Sequence, residues 1–195
     1  MQNKIDLFAR QSVVVVGDVF LDEYLIGRAE RLSREAPIPV LEYDRRRQVP
    51  GGGANPAMNI AALGAKAIQI GVIGDDPEGA ALRALLTAAG VDAAGLIVDP
   101  SRPTALKTRI VAEGELRFPQ QMARVDRQSR EPLSESIRAQ LAAALKRSVE
   151  AAGAKAILFS DYRAGLIDDP RVAVARALAQ GRGLLLAADT QGDLE

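Results

Sequence analysis

Four consecutive valines, Val13 to Val16, constrain this chain most. A run that is apolar and β-branched at every position fits a strand buried on both faces, and Gly17-Asp18 closes it. Further short apolar runs follow along the chain, with helix-like segments between them, at residues 65–76, 90–100, 154–161 and 183–189. Because strands that alternate with helices pair in parallel, the pattern predicts an α/β fold with layers of helix on a parallel sheet.

Two segments interrupt this alternation, at about residues 19–50 and 103–126. Both contain half-exposed strand patterns in which apolar and charged residues alternate. We expect them to form a small antiparallel sheet that covers the α/β core as a lid. All 195 residues then belong to one domain into which the lid is inserted twice.

The composition excludes several kinds of chemistry. The chain has no cysteine and no histidine, which removes disulfides, thiolate catalysis, imidazole acid–base chemistry and zinc sites built on these residues. Its 25 basic residues balance 25 acidic ones, so no nucleic-acid partner is expected, and the one basic run, Arg45 to Arg47, is predicted as a solvated hairpin end. No signal peptide or membrane-length apolar segment is visible, and we expect a cytoplasmic protein.

The segment QVPGGGANPAMNIAALGA, residues 48–65, places three glycines before a helix start. Asn55 is predicted as the N-cap with Pro56 at the first helical position, and Gly64 as the glycine after the helix. Asn55 and Asn59 are four residues apart and share a helix face, so their side-chain amides are suited to hydrogen bond with hydroxyl groups of a ligand. A well-capped turn without ligand explains the segment equally well. It is neither a Walker loop nor G-x-G-x-x-G.

Carboxylates follow two of the predicted buried strands. Asp18 ends the first strand and Asp161 ends a later one, so both are expected at the crevice where open α/β sheets bind ligands. Asp22 lies at the start of the lid. Taken alone, Asp18 is explained better by a turn or cap role. Asp75 and Asp76, before Pro77, are interpreted as helix caps.

Basic residues lie on the predicted lid strands, and their spacing leaves two explanations open. They bind a phosphate if the lid closes over the crevice, and otherwise they line a solvated strand face. They are Lys107, Arg109 and Arg124.

Taken together, these motifs resemble the PfkB, or ribokinase-like, carbohydrate kinases, and most closely the heptose-7-phosphate kinase domain of bifunctional ADP-heptose synthases. The resemblance runs almost end to end and implies a ribokinase-like three-layer α/β/α core with a small β-sheet lid. It rests on VVVVGDVFLDEYLIG, SREAPIPVLE, PGGGANPAMNIAALGA, GVIGDD, PTALKTRIVA, QMARVDR and FSDY.

The resemblance also implies function. The family transfers the γ-phosphoryl group of ATP, with Mg²⁺, to a hydroxyl of a sugar or sugar phosphate, and its lid often forms a homodimer contact. Asp18, Gly51, Gly52 and Asn55 match the family's sugar-binding motifs. Further positions match family residues on or near the same pocket: Asp22, Asn59, Lys107, Arg124, Asp126 and Asp161.

The chain departs from the family pattern in three places. The Gly-Ala-Gly-Asp motif, with the catalytic base, lies beyond residue 195 in the family, as does most of the ATP site. We therefore expect negligible kinase activity from this chain alone. The lysine expected after Ser-Asp-Tyr is absent from SDYRAG at 160–165, where Arg163 lies one residue early, and Asp-Pro-Lys-Gly is replaced by DTQG at 189–192. Both lysine losses weaken the case for a phosphorylated heptose.

Three other functions remain open. A non-catalytic sugar-binding or regulatory module, or one half of a split kinase, predicts sugar binding without phosphoryl transfer. A fragment kept for assembly through the lid predicts dimerisation without ligand binding. A nucleotide-dependent oxidoreductase predicts nicotinamide binding, against which the lack of G-x-G-x-x-G argues.

Overall fold

The computed structural model describes residues 7–114 and 117–191. After a short 3-10 turn at Phe8–Arg10, the elements follow in chain order: β1 (Ser12–Gly17), β2 (Val19–Leu32), β3 (Pro39–Gly52), α1 (Ala54–Ala62), β4 (Lys66–Ile73), α2 (Pro77–Ala88), β5 (Asp92–Val98), β6 (Leu106–Gly114), β7 (Arg117–Arg127), α3 (Glu135–Ala151), β8 (Ala156–Asp161), α4 (Asp169–Arg182) and β9 (Leu185–Thr190). None of the helices within these ranges is long and apolar enough to cross a membrane.

Five parallel strands form the core sheet, in the order β5-β4-β1-β8-β9. The valines of β1 lie at its centre and alternate between its faces. Val14 and Val16 pack with α3 and α4, whereas Val15 packs with α1 and α2. Helices therefore cover both faces, which is why every position of this strand is apolar. The predicted three-layer α/β/α core is confirmed.

A second sheet is formed by the two segments that interrupt the alternation, in the order β3-β2-β6-β7. Its outer pairs are antiparallel, but β2 and β6 run parallel, so the prediction of a purely antiparallel sheet is wrong. The reason is that β2 and β6 each follow a core strand. Because the core strands are parallel, both β2 and β6 leave from the carboxyl end of the core sheet and run in the same direction. That this second sheet closes over a ligand as a lid remains a prediction.

The helix that follows the three glycines begins two residues earlier than predicted. Gly53, not Asn55, is the N-cap of α1, and no side chain caps this helix. The chain turns at Gly53 because its N–H donates to the Asp18 carbonyl at 2.7 Å, which outweighs the local Asn-Pro signal. Gly64 follows the C-cap with φ 88°, as predicted for a glycine at that position.

Two further local predictions have different outcomes. Asp76 caps α2 by accepting from the Gly79 N–H at 2.8 Å, with Pro77 at the first helical position, which confirms the predicted cap for Asp76 but not for Asp75. Arg45 to Arg47, predicted as a hairpin end, lie within β3 opposite Tyr24, Leu25 and Ile26 of β2. The hairpin end comes earlier in the chain, between β2 and β3.

Candidate functional site

One face of the second sheet looks toward the carboxyl end of the core sheet. The Phe20 ring on β2 meets the Tyr162 ring, which follows β8, edge to face at a centroid distance of 5.6 Å. Because strand side chains alternate, Asp22 and Tyr24 lie on the same face as Phe20. We call the space between this face and the carboxyl ends of the core strands the crevice.

Strand register brings five of the predicted site residues onto this face. Gly51 lies opposite Phe20, and Lys107 lies opposite both Asp22 and Asp126. Arg124 is two residues from Asp126 and shares its face. These residues are far apart in the chain, and the pairing of all four strands of the second sheet brings them together.

Two arginines directly opposite each other on this face are each paired with a carboxylate. Arg109 and Arg124 are register partners, an arrangement that is unfavourable when both charges are unpaired. Arg109 Nη1 donates to Asp22 Oδ1 at 2.7 Å, and Arg124 donates twice to Asp126, at 2.8 and 2.9 Å. Each pairing lowers the repulsion between the two guanidinium groups.

Tyr24 lies between two guanidinium groups on the same face. Arg47 on β3 and Arg109 on β6 are its register partners, and their guanidinium carbons lie 5.2 and 5.3 Å from its ring centroid. Both contacts have cation–π geometry. Sequence reasoning missed Tyr24 and Arg47, although an alternating strand pattern extended to them would have placed them on this face.

The Lys107 ammonium is held by aromatic rings. Its Nζ lies 3.9 Å from the centroid of the Phe20 ring and 5.8 Å from that of Tyr162. Within residues 7–114 and 117–191 no carboxylate is within ion-pair distance of this ammonium, because Asp22 and Asp126 are paired with arginines. Lys107 therefore presents an uncompensated, half-buried positive charge at the crevice.

Asp18 is buried, with 4% of its surface exposed. Its carboxylate accepts hydrogen bonds from the segment that follows β8. Oδ2 accepts from the N–H groups of Tyr162 and Ala164 at 3.0 and 3.1 Å, and Oδ1 accepts from Leu166 at 3.2 Å. Burial raises the pKa of Asp18 despite these hydrogen bonds, and nearby Asp161 raises it further. Contact between Asp18 and a sugar remains a prediction.

The segment that surrounds Asp18 contains a backbone conformation unusual for its residue. Arg163 has φ 58°, in the left-handed region that favours glycine. Its N–H donates to Asp161 Oδ1 at 2.8 Å, so Asp161 stabilises this turn and also accepts from the Thr190 hydroxyl at 3.3 Å. Arg163 is exposed here. The DTQG departure extends to residue 192, outside the described residues.

The three glycines before α1, Gly51 to Gly53, pack against β1 and β2. A Cβ on Gly51 would overlap the Asp22 carboxylate, and one on Gly52, whose φ is 59°, would overlap the Phe20 ring. The structure thus supplies a packing reason for both glycines. That they also admit a sugar remains a prediction. Asn55 and Asn59 lie exposed on one face of α1, as their spacing predicts.

A cavity of about 50 Å³ lies beside Asp18. Phe20 and Ala164 line it from the second sheet and from the segment after β8, and Arg102 and Gln128 line it from the β5–β6 and β7–α3 connections. Asp18 is the one predicted ligand residue that lines this cavity, and the other lining residues were not singled out from the sequence.

Mg²⁺ and ATP are the ligands that the family resemblance implies. Among the described residues, no group of three or more acidic residues is arranged to hold a metal ion. The N–H groups at the starts of α2, α3 and α4 are partly satisfied by Asp76, Ser134 and Asp168 side chains, which leaves α1 as the one helix here without a side-chain cap. The described residues therefore offer no cluster that fits Mg²⁺, and no reaction step through a metal follows from them.

A parallel α/β core and a second sheet facing its carboxyl edge define the ribokinase-like class of folds. A sequence model described as "pfkB family carbohydrate kinase" matches residues 10–157. The chain belongs to the pfkB family of carbohydrate kinases, which confirms the predicted resemblance.

Curated relatives agree with this assignment. The chain is 39% identical over 182 residues to "Bifunctional protein HldE" of Helicobacter pylori (strain ATCC 700392 / 26695), covering 93% of this chain and 38% of the relative. It is 39% identical over 188 residues to the protein of the same name from Hyphomonas neptunium, covering 96% and 37%. The chain thus spans less than two fifths of the length of these relatives.

Solved structures show the same fold at lower identity. A 2-dehydro-3-deoxygluconokinase from Thermotoga maritima superposes with a TM-score of 0.66 at 17% identity, covering 94% of this chain and 52% of that one. Phosphofructokinase-2 from Escherichia coli, in a tetrameric inhibited form, gives a TM-score of 0.66 at 21% identity, covering 93% and 55%.

Proposed function

We propose that this chain supplies the acceptor-binding part of an ATP-dependent kinase that phosphorylates a hydroxyl of a sugar phosphate. The observation that carries the proposal is the uncompensated Lys107 ammonium, held at the crevice by Phe20 and Tyr162. Family membership supports a sugar as the acceptor, and the charge on the crevice-facing side of the second sheet supports a phosphate group on it.

The crevice-facing side is more positive than the chain as a whole. Between Phe20 and Tyr24 and across the facing strands, four cations face two carboxylates, whereas the whole chain has no net charge. Arginine and lysine are the residues that bind phosphate oxygens, Arg by a two-pronged contact and Lys as a point charge. The four cations are Arg47, Lys107, Arg109 and Arg124.

Hydroxyl recognition is proposed for the groups at the base of the crevice. Three of about four lone-pair positions on the Asp18 carboxylate are occupied by N–H groups, so one remains on Oδ1 for a hydroxyl. Asn55 and Asn59 have free amide groups within the described structure and lie on one face of α1. In this proposal the chain binds and orients the acceptor, and ATP supplies the phosphoryl group when bound.

Replacing Lys107 tests the proposal. We expect Lys107→Met to weaken binding of a heptose or hexose phosphate by about 10- to 100-fold, because a charge-assisted contact to phosphate is lost. Binding of the corresponding unphosphorylated sugar is expected to change less than threefold. Titration calorimetry of the protein with both ligands measures the difference. Lys146→Met, at an exposed position of α3, is the matched control and is expected to bind as wild type.

Other results would contradict the proposal. An equal loss for both ligands would show that Lys107 does not bind phosphate, and no binding of any sugar or sugar phosphate would overturn the proposed function. Saturable binding of an unphosphorylated sugar, with no preference for its phosphate, would favour the alternative of a sugar-binding module.

We also propose that the second sheet forms a homodimer contact. Large apolar side chains are exposed on its strands or their connection, among them Phe118 at 92%, Tyr43 at 66% and Val125 at 59%. Phe118→Ser is expected to raise the dimer dissociation constant at least tenfold in analytical ultracentrifugation, and Leu63→Ser, at the end of α1, to leave it unchanged. A monomeric wild type would overturn this part.

We also propose a cytoplasmic location. Because ATP and sugar phosphates are cytoplasmic metabolites, cell fractionation should place the protein in the cytoplasm.

A further inference from the structure

Four stretches of chain connect the core to the second sheet. The stretch that leads into β6 and the stretch that follows β7 are both held by side-chain hydrogen bonds. Residues 99–105 lead from β5 into β6, and residues 128–133 lead from β7 toward α3. Neither stretch belongs to the glycine motif or to the β1–β2 connection at Asp18. Their hydrogen bonds form two groups, one through Asp76 and Thr104 and one through Arg102, and we call the two groups together the network.

Thr104 is the central contact of the first connection, with 1% of its surface exposed. Its N–H donates to Asp76 Oδ2 at 2.8 Å and its hydroxyl donates to Asp76 Oδ1 at 2.6 Å. The same hydroxyl accepts from the Gly74 N–H at 2.8 Å. One side chain thus ties the entry to β6 to the carboxyl end of β4.

Asp76 does more here than cap α2. The cap needs one oxygen, which accepts from the Gly79 N–H, yet both oxygens bind Thr104 as well. Although partial burial opposes the shift, the hydrogen bonds from Thr104 and Gly79 lower the pKa of Asp76. Its carboxylate is therefore ionised at neutral pH and holds three donors from two segments.

Arg102 joins the first connection to the second. Its Nε donates to buried Asp99 at 2.8 Å, and its Nη2 donates to the carbonyls of Glu131 and Pro132, both at 3.1 Å. A guanidinium can bridge the carboxylate and both carbonyls because its donors lie in a fixed plane. At the end of β7, Arg127 adds an ion pair with Glu78 of α2 at 2.9 Å.

We propose that Asp76, Thr104 and Arg102 are positioning residues that fix the β6–β7 half of the second sheet over the crevice. Lys107 is three residues beyond Thr104, about 10 Å along the strand, so the network sets where its ammonium lies. Close packing leaves little freedom at this base, since a Cβ on Gly74 would lie 2.6 Å from the Thr104 nitrogen. The proposal rests on the proposed function of Lys107 as a phosphate ligand.

Thr104→Val tests this role because it keeps the shape and the backbone N–H but removes the hydroxyl. We expect sugar-phosphate binding to weaken about 3- to 10-fold, and unphosphorylated sugar binding to stay within twofold. Hydrogen exchange of the β6 amides at residues 106–110 should accelerate by a similar factor. Thr87→Val is the matched control, since its exposed hydroxyl donates only to Arg83 O within α2.

A double variant separates positioning from general destabilisation. If Thr104 acts through Lys107, Thr104→Val in the Lys107→Met background should cost no further sugar-phosphate affinity. Independent, additive losses would overturn the proposal, as would β6 exchange unchanged from that of Thr87→Val. If the wild type binds no sugar phosphate, the proposed function fails, and unchanged β6 exchange would then separately overturn the positioning role.

Discussion

Gly53→Ala is expected to lower the thermal midpoint of unfolding by about 10 °C, which corresponds to about 3 kcal/mol in a protein of this size. Gly53 has φ −60°, so alanine meets no backbone strain. Its Cβ, however, would lie 2.7 Å from the Gly17 carbonyl carbon and 2.8 Å from the Asp18 nitrogen. Both are backbone atoms at the carboxyl end of the central strand, and no side-chain rotation relieves the overlap. Differential scanning calorimetry measures the midpoint.

Gly181→Ala is the matched control. Gly181 lies in α4, and a Cβ there meets no atom within 4 Å. Alanine should raise stability by about 0.5–1 kcal/mol at a helical position of this kind. A Gly53→Ala protein as stable as wild type would show that β1 and the start of α1 are less closely packed than described.

Asp18→Asn is expected to release the segment after β8 without a large loss of global stability. An amide NH₂ in place of one carboxylate oxygen cannot accept, so N–H groups among Tyr162, Ala164 and Leu166 lose their partner. Exchange of these amides should accelerate about ten- to hundredfold. Removal of a buried charge offsets the lost bonds in the global free energy of unfolding. Hydrogen exchange with fragment analysis measures the local effect.

The pH dependence of the same variant has a defined sign. Because the pKa of Asp18 is raised in the folded chain above its ordinary 3.8, the native state binds the proton more tightly than the unfolded state. The stability of wild type relative to Asp18→Asn should therefore fall as pH rises through 3.8 and the raised value. Denaturant titrations between acidic and neutral pH measure this trend. The opposite slope would show that the three N–H donors outweigh burial.

Asp92→Asn is the control for Asp18→Asn. Asp92 is exposed and accepts from one nearby N–H, that of Ala94, at 3.0 Å. We expect no change of exchange in the segment after β8. Unchanged exchange of the Tyr162, Ala164 and Leu166 amides in Asp18→Asn would contradict the anchoring role.

Several features followed from the sequence because short-range chemistry decides them. The valine run of β1 fits burial on both faces, and the core sheet is parallel because strands and helices alternate. Asp76-Pro77 starts a helix where the local signal places it. Asn55-Pro56 shows the limit of such signals, since the Gly53 contact with Asp18 begins the helix earlier.

Tertiary structure alone decided how the candidate site is assembled. The donors that surround Asp18 are 144 to 148 residues away in the chain, and Arg109 is 87 residues from Asp22. No local window of sequence contains such pairs. The parallel pairing of β2 with β6 follows because both strands leave from the carboxyl end of the core sheet. This pairing brings the Lys107 ammonium to the rings of Phe20 and Tyr162. The sequence by itself determined the elements and the residue types available, and the packing of the two sheets determined which charges meet.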